Sequence, residues 1–213
     1  MTWAEVVLAI GVVLALLLWM VWVDASRLDR LHRRVDASRT VLDTQLVRRA
    51  TAAAELATSG TLDPASAIVV GEAAWAALAA GGDDTPPGGV VRELRAVLEP
   101  PARQVRSSGP EVDRGRLESD LTAALREVLD DPEEVSGIAK SPAGSGLLAD
   151  LSAAWYRVQL SRRFHNNAVT QARQARRGVM VRILRLAGSA PEPQTVEIDD
   201  DWPRGLPQVA PRD

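Results

Sequence analysis

The spacing of apolar residues divides the chain into three stretches. From Val6 to Val23 the run VVLAIGVVLALLLWMVWV contains no charged residue. With Trp3 and Ala4 ahead of it, the stretch reaches about 20 residues, the length that crosses roughly 30 Å of hydrocarbon. Beyond Asp24 the apolar positions become periodic. Leu28, Leu31, Val35, Leu42 and Leu46 recur at intervals of three, four and seven, which predicts a helix with one buried stripe. Neither Pro nor Gly interrupts Met20 to Ser59, so the two patterns predict one continuous helix, stopped at Gly60.

Asp63-Pro64 predicts the next start, an aspartate cap ahead of a first-turn proline. The helix is expected from Pro64 to about Ala80, with Ile68, Val69, Glu72, Trp75 and Leu78 along it. GGDDTPPGG (Gly81 to Gly89) reads as a loop. A further helical stretch follows from Val90 to about Arg106, broken or kinked at Pro100-Pro101, and then a linker, Ser107 to Pro110. Val112 to Leu129 is helical in pattern, with Leu117, Leu121, Leu125, Val128 and Leu129 on one side. Asp130 to Gly146, rich in Pro, Gly and Ser, reads as a loop holding at most one short turn. Leu148, Leu151, Trp155, Val158, Val169, Ala172, Val179, Ile183 and Leu186 then fit one seven-residue repeat, a coiled-coil-like seam. It predicts a helix of more than about 40 residues ending at Gly188. Residues 191–213, with several prolines and the run Asp199-Asp200-Asp201, are expected to be extended or disordered. The acidic run could recruit a basic partner or serve as a solubilising end.

Helices joined by polar linkers bury their stripes against one another. The predicted fold is therefore all-α. A single-pass transmembrane helix (1–23) continues into an antiparallel bundle of three to four long helices (24–190), followed by the tail (191–213).

The apolar run can be read as a cleaved leader or as a retained anchor. A leader carries basic residues ahead of a shorter core. MTWAE has none, although Val23-Asp24-Ala25 loosely imitates a cleavage site, so the anchor is the favoured reading. Trp3 at one end and Trp19 and Trp22 near the other fit interfacial aromatic belts. Arg27, Arg30, Arg33, Arg34 and Arg39 follow the span and none precedes it. The positive-inside rule then places the N-terminus outside and the bundle in the cytoplasm. Arg27, Arg30, Arg33 and Arg34 could also meet anionic lipid headgroups, at about 1 kcal/mol each near the surface.

Chemistry is sparsely provided for. The chain has 213 residues, no cysteine, two histidines and a net charge of −3. Disulfides, thiolate metal sites and cysteine nucleophiles are excluded, and the charge is too small to suggest nucleic acid. Neither His32 nor His165 has a glutamate one helical turn away, as paired metal ligands on a helix would require. A nucleophile elbow, a phosphate loop and a dinucleotide fingerprint are missing. No catalytic activity and no cofactor are expected. The partners to expect are the bilayer, a protein not identifiable from sequence, and a second copy of the chain if the seam is satisfied between two molecules.

One irregularity stands out. Arg162, His165 and Arg176 fall on the seam of the last helix, with Asn166 and Asn167 adjacent. Such residues can fix register or reach past the seam on apolar stems. Alternatively Arg162, His165 and Asn166, with Arg48 and Arg49 of the first helix, form a polar cluster between helices able to hold an anionic group.

The stretch LDRLHRRVDASRTVLDTQLVRRA (Leu28 to Ala50), with SRRFHNNAV (Ser161 to Val169) far downstream, resembles the LemA family. The matching features are Val35-Asp36, the Gln45-Leu46-Val47-Arg48-Arg49 run, Arg162 to Val169, and the closing LAGSAPEPQTVEI (Leu186 to Ile198). The resemblance covers the first and last helices well and the middle loosely. His165 stands where the family usually has Tyr, Ala54 where it has Pro, and Trp155 where an acidic residue is common. A divergent, Ala- and Arg-rich member of actinobacterial type is implied. So is a membrane-anchored helical bundle, with no established catalytic activity.

Overall fold

A computed structural model describes residues 3–84, 113–178 and 192–207. Among these the chain is all-α. Its helices are α1 (Trp3–Thr58), α2 (Pro64–Asp84), α3 (Arg114–Leu129), α4 (Pro132–Ala139) and α5 (Pro142–Arg176). The chain divides into two compact units: residues 1–39 with 163–195, and residues 40–162 with 196–213.

α1 is a single helix of 56 residues. Its N-terminal end is apolar and long enough to cross a membrane. Trp3, Val6, Leu8, Leu14, Leu18, Trp19 and Trp22 are all exposed there. Further along α1, Leu28, Val35, Leu42 and Leu46 are buried, as their spacing predicts. Gly60 ends the helix in the left-handed region, at φ 74°, where a side chain would be strained.

In the first unit, Val35 and Leu31 of α1 pack on Ala168, Val169 and Ala172 of α5. Residues 192–195 run beside α5, where the Arg173 guanidinium donates to the Pro193 carbonyl at 2.8 Å and pairs with Glu192 at 3.6 Å.

Among the described residues of the second unit, α1, α2, α3 and α5 form an up-down-up-down bundle. A Cβ on Gly71 would lie 3.7 Å from Ala57, and one on Gly81 3.0 Å from Val47, so α2 runs antiparallel to α1. Arg114 reaches Asp43 and Glu118 reaches Arg49, so α3 runs parallel to α1. Leu42 and Leu46 pack on Val158, while Arg49 lies over Trp155, so α5 returns antiparallel. The core between α1 and α2 is made of small residues: Ala50, Ala53, Ala54, Ala57, Ala74 and Ala77, with Leu56 and Val70.

This close approach sets the phase of α2. Val70, Ala74 and Ala77 face inward, while Ile68, Val69 and Trp75 are exposed. Ile68, Val69 and Trp75 are left outside this contact, because only small side chains fit between two closely packed helices. α2 is also apolar and long enough to cross a membrane by composition, yet its inner face lies in this core.

Three helix starts share one chemistry. Asp63 Oδ1 accepts from the N–H groups of Ala65 and Ser66 ahead of α2. Asp131 accepts from Glu133 N–H ahead of α4. Ser141 Oγ accepts from Gly144 N–H ahead of α5. Each cap precedes a proline in the first turn, which loses no intrahelical bond there. The stretch expected to be a loop, 130–146, thus contains α4 and the first turn of α5. The stretch 81–84, also expected to be a loop, is the last turn of α2. At the other end α5 stops at Arg176, after 35 residues, with Arg177 and Gly178 in a turn. It is shorter than predicted. The expected Val90–Arg106 helix, the 107–110 linker, the seam positions Val179, Ile183 and Leu186, and the Gly188 stop lie outside the described residues.

The Asp63 carboxyl is held below its ordinary value of 3.8, first by the Ser66 hydroxyl and then by the Ser66 N–H. A depressed carboxylate stabilises the fold above its unfolded value, and that contribution is lost as pH falls through the folded value. Asp63→Ala is expected to lower the Tm at pH 7. The gap from wild type should narrow below pH 3.8. Thermal unfolding of the full chain in detergent, followed by circular dichroism across pH, checks this.

Candidate functional site

The most unusual chemistry in the second unit is a set of buried charges. Arg49 is fully buried and Glu118 is 1 % exposed. The Arg49 guanidinium donates to Glu118 Oε2 at 2.9 Å, to the Glu118 carbonyl at 3.0 Å and to Thr122 Oγ1 at 3.0 Å. Its Cζ lies 5.2 Å from the centre of the Trp155 ring, a cation–π contact in a desolvated setting. Arg114, also buried, donates to Asp43 at 3.0 Å and lies 3.9 Å from Glu118 Oε1. Two cations and two anions are thus removed from water together. Isolated charges of this kind cost several kcal/mol each, so the pairing is what makes their burial tolerable.

Helix periodicity delivers these groups. Arg114, Glu118, Leu121, Leu125 and Val128 succeed one another at intervals of three and four, so two charges occupy the start of the apolar stripe of α3. Asp113 caps the helix there by accepting from Arg116 N–H. Arg49 continues the buried face of α1 after Leu42 and Leu46.

The same core holds an extended segment. Residues Val196 to Leu206 pass over α3 and α5, fastened largely through the main chain. Asp199 N–H donates to Ser119 Oγ at 3.0 Å, and Thr122 Oγ1 donates to the Asp199 carbonyl at 2.7 Å. The Asp200 carbonyl accepts from Trp155 Nε1 at 3.1 Å and from Gln159 at 2.7 Å. Arg162 grips the Asp200 carboxylate with two bonds of 2.7 Å. Trp202 packs on Trp155 with ring centres 6.1 Å apart, and Leu206 enters the core. Arg204 N–H donates to Asp130, and Gly205 N–H to the Leu129 carbonyl. The acidic run expected as a solubilising or recruiting end is therefore engaged by α3 and α5: Arg126 lies 3.9 Å from Asp199 and 3.7 Å from Asp201. Arg126, Arg162 and the Trp155 ring supply the physical reason, a basic and aromatic surface that complements acidic residues.

Of the residues that sequence places in a polar cluster, Arg49 and Arg162 belong to this unit and are linked through Trp155 and Asp200. Arg48 is exposed. His165 and Asn166 belong to the other unit. There the buried His165 ring faces two oxygens: Nδ1 is 3.0 Å from Ser38 Oγ and Nε2 is 3.3 Å from the Gln194 carbonyl. A carbonyl only accepts, so Nε2 carries a hydrogen. The Ser38 hydroxyl facing Nδ1 also lies 2.8 Å from the Val35 carbonyl, to which it can donate its single hydrogen. The arginines following the span, Arg27, Arg30, Arg33 and Arg34, are exposed, and Arg33 pairs with Asp29.

Asp43, Arg114, Glu118 and Thr122 are not singled out by the sequence patterns, and Asp200 is marked there as one member of the acidic run. The available signal for Arg114 and Glu118 is their place on the α3 stripe. Asp43 offers none, and the run does not distinguish Asp200 from its neighbours, because their partners lie far away in the chain. Among the described residues no group of three or more His, Cys, Asp or Glu side chains could hold a metal ion. Comparison with protein-family models, curated proteins and solved structures finds no match.

Glu118→Leu leaves the Arg49 charge buried without its carboxylate. It is expected to lower the unfolding free energy by about 3–5 kcal/mol, measured by urea titration of the full chain in detergent. Arg162→Met removes a more exposed pair and is expected to cost about 1–2 kcal/mol in the same titration.

Proposed function

We propose that the chain is a single-pass membrane protein whose helical bundle faces the cytoplasm and acts as a scaffold or protein-interaction module, without catalytic activity. The observation that carries this reading is α1, whose exposed apolar end runs without a break into the bundle. A wholly exposed apolar helix end is stable in hydrocarbon and unfavourable in water. The basic residues after the span support the cytoplasmic side. The resemblance to the LemA family in the first and last helices supports the same architecture and a bacterial source. Arg49 and Glu118 in the bundle, and Arg162 with Asp200 beside them, bind other parts of the same chain, which favours a structural role for the bundle.

A second reading draws on the exposed Arg27, Arg30, Arg33 and Arg34. These sit next to the span, where an anionic leaflet would attract them, and a self-associating sensor or remodeller of acidic membranes would use them. Salt-sensitive binding of residues 24–213 to anionic vesicles favours that reading. Absence of binding at low salt removes it.

The chain contains no cysteine, so one exposed substitution, Ala139→Cys, reports the side of the membrane. A membrane-impermeant maleimide is expected to label it only after lysis. Labelling of intact cells would place the bundle outside, or show that the apolar segment has been removed.

A further inference from the structure

The Val196–Leu206 segment sits on the bundle as a bound peptide sits on a receptor. It contains no helix or strand. It is read through its main chain by Ser119, Thr122, Trp155, Gln159 and Asp130. One acidic side chain, Asp200, is gripped by Arg162. Two glycines permit the close approach. A Cβ on Gly115 would lie 3.0 Å from the Glu197 carbonyl oxygen, and one on Gly205 would lie 2.6 Å from the Leu129 carbonyl oxygen. Main-chain bonds with one or two side-chain anchors are the way extended peptides are recognised generally.

The segment is also weakly rooted compared with the helices. Its buried apolar side chains are Ile198, Pro203 and Leu206, with Val196 and Trp202 partly buried. Elements with so little apolar burial open at a free energy well below global unfolding. When it lifts, Thr122, Gln159 and Arg162 are left on a face that water can reach.

We propose that this segment exchanges between copies: the groove formed by α3 and α5 accepts Val196–Leu206 of a second chain and joins two chains. An exchanged segment makes the same contacts in trans as in cis, so exchange forfeits none of them. Confinement to one membrane raises the effective concentration of second copies. The proposal rests on the membrane-anchored interaction module above and names its partner as the chain itself.

The test uses the full, otherwise cysteine-free chain in membranes. Asp199 N–H is 3.0 Å from Ser119 Oγ, which keeps the two Cα atoms within about 7 Å, the outer range of a disulfide. Ser119→Cys is placed on one tagged copy and Asp199→Cys on a second, differently tagged copy. The two are co-expressed and oxidised. Exchange is expected to give a mixed disulfide dimer at about fivefold or more above a Thr51→Cys and Asp199→Cys pair, since Thr51 is exposed on α1. Adding Gly205→Ala to the Asp199→Cys copy is expected to cut that yield severalfold. Both substitutions in one copy give the within-chain reference. If the within-chain bond forms while the mixed pair matches the control, exchange is overturned. A mixed dimer insensitive to Gly205→Ala also overturns it, because the chains would then meet elsewhere. Either result leaves the anchored-scaffold reading to the maleimide labelling.

Discussion

Arg49 constrains the second unit more than any other residue. Its guanidinium has no exposed surface, so every favourable contact it makes must come from protein. Glu118 and Thr122 supply hydrogen bonds from α3, and Trp155 supplies a ring face from α5. α1, α3 and α5 are therefore fixed relative to one another about one side chain. Trp155 and Thr122 then hold the main chain of Asp199 and Asp200, so the extended segment depends on the same centre. Asp43 and Arg114 extend the cluster and balance its charge.

Such a cluster suits an alanine-rich interior. Ala50, Ala53, Ala54, Ala57, Ala74 and Ala77 let α1 and α2 approach closely, but small side chains interlock poorly and tolerate sliding. Buried charges tolerate it badly, because a shift of one turn separates ions that water cannot reach. We read the charges as the source of register between α1 and α3, and the alanines as the source of proximity between α1 and α2. The apolar end of α1 obeys a separate constraint: its side chains are exposed, and by length and composition it is suited to hydrocarbon.

Much of the fold is legible in sequence, where local chemistry decides it. The stripe of α1, the seam of α5 from Leu148 to Ala172, the Gly60 stop and the Asp63-Pro64 start all follow from spacing or from one dipeptide. Asp131-Pro132 and Ser141-Pro142 carry the same start signal, but surrounding glycine and serine mask it. The phase of α2 is hidden because Ile68, Val69 and Trp75 face outward while Ala74 and Ala77 face inward, against the usual preference. The candidate site is legible in half. The arginines on helix faces are visible as irregularities, whereas Asp43 and Asp200 become meaningful only when distant segments meet. The acidic run reads as a solvated end because Arg126 carries no mark that distinguishes it from a surface arginine, and Arg162, visible on the seam, is 38 residues from Asp200 in the chain.

The central claim is that Arg49 and Glu118 stabilise the bundle as a pair and not as separate residues. A double-mutant cycle of Arg49→Met, Glu118→Leu and the double variant measures this directly, by urea unfolding of the full chain in detergent. The account predicts a coupling of about 2 kcal/mol or more, with the double variant more stable than Glu118→Leu alone. Additive losses, with the double variant the least stable of the three, would contradict it.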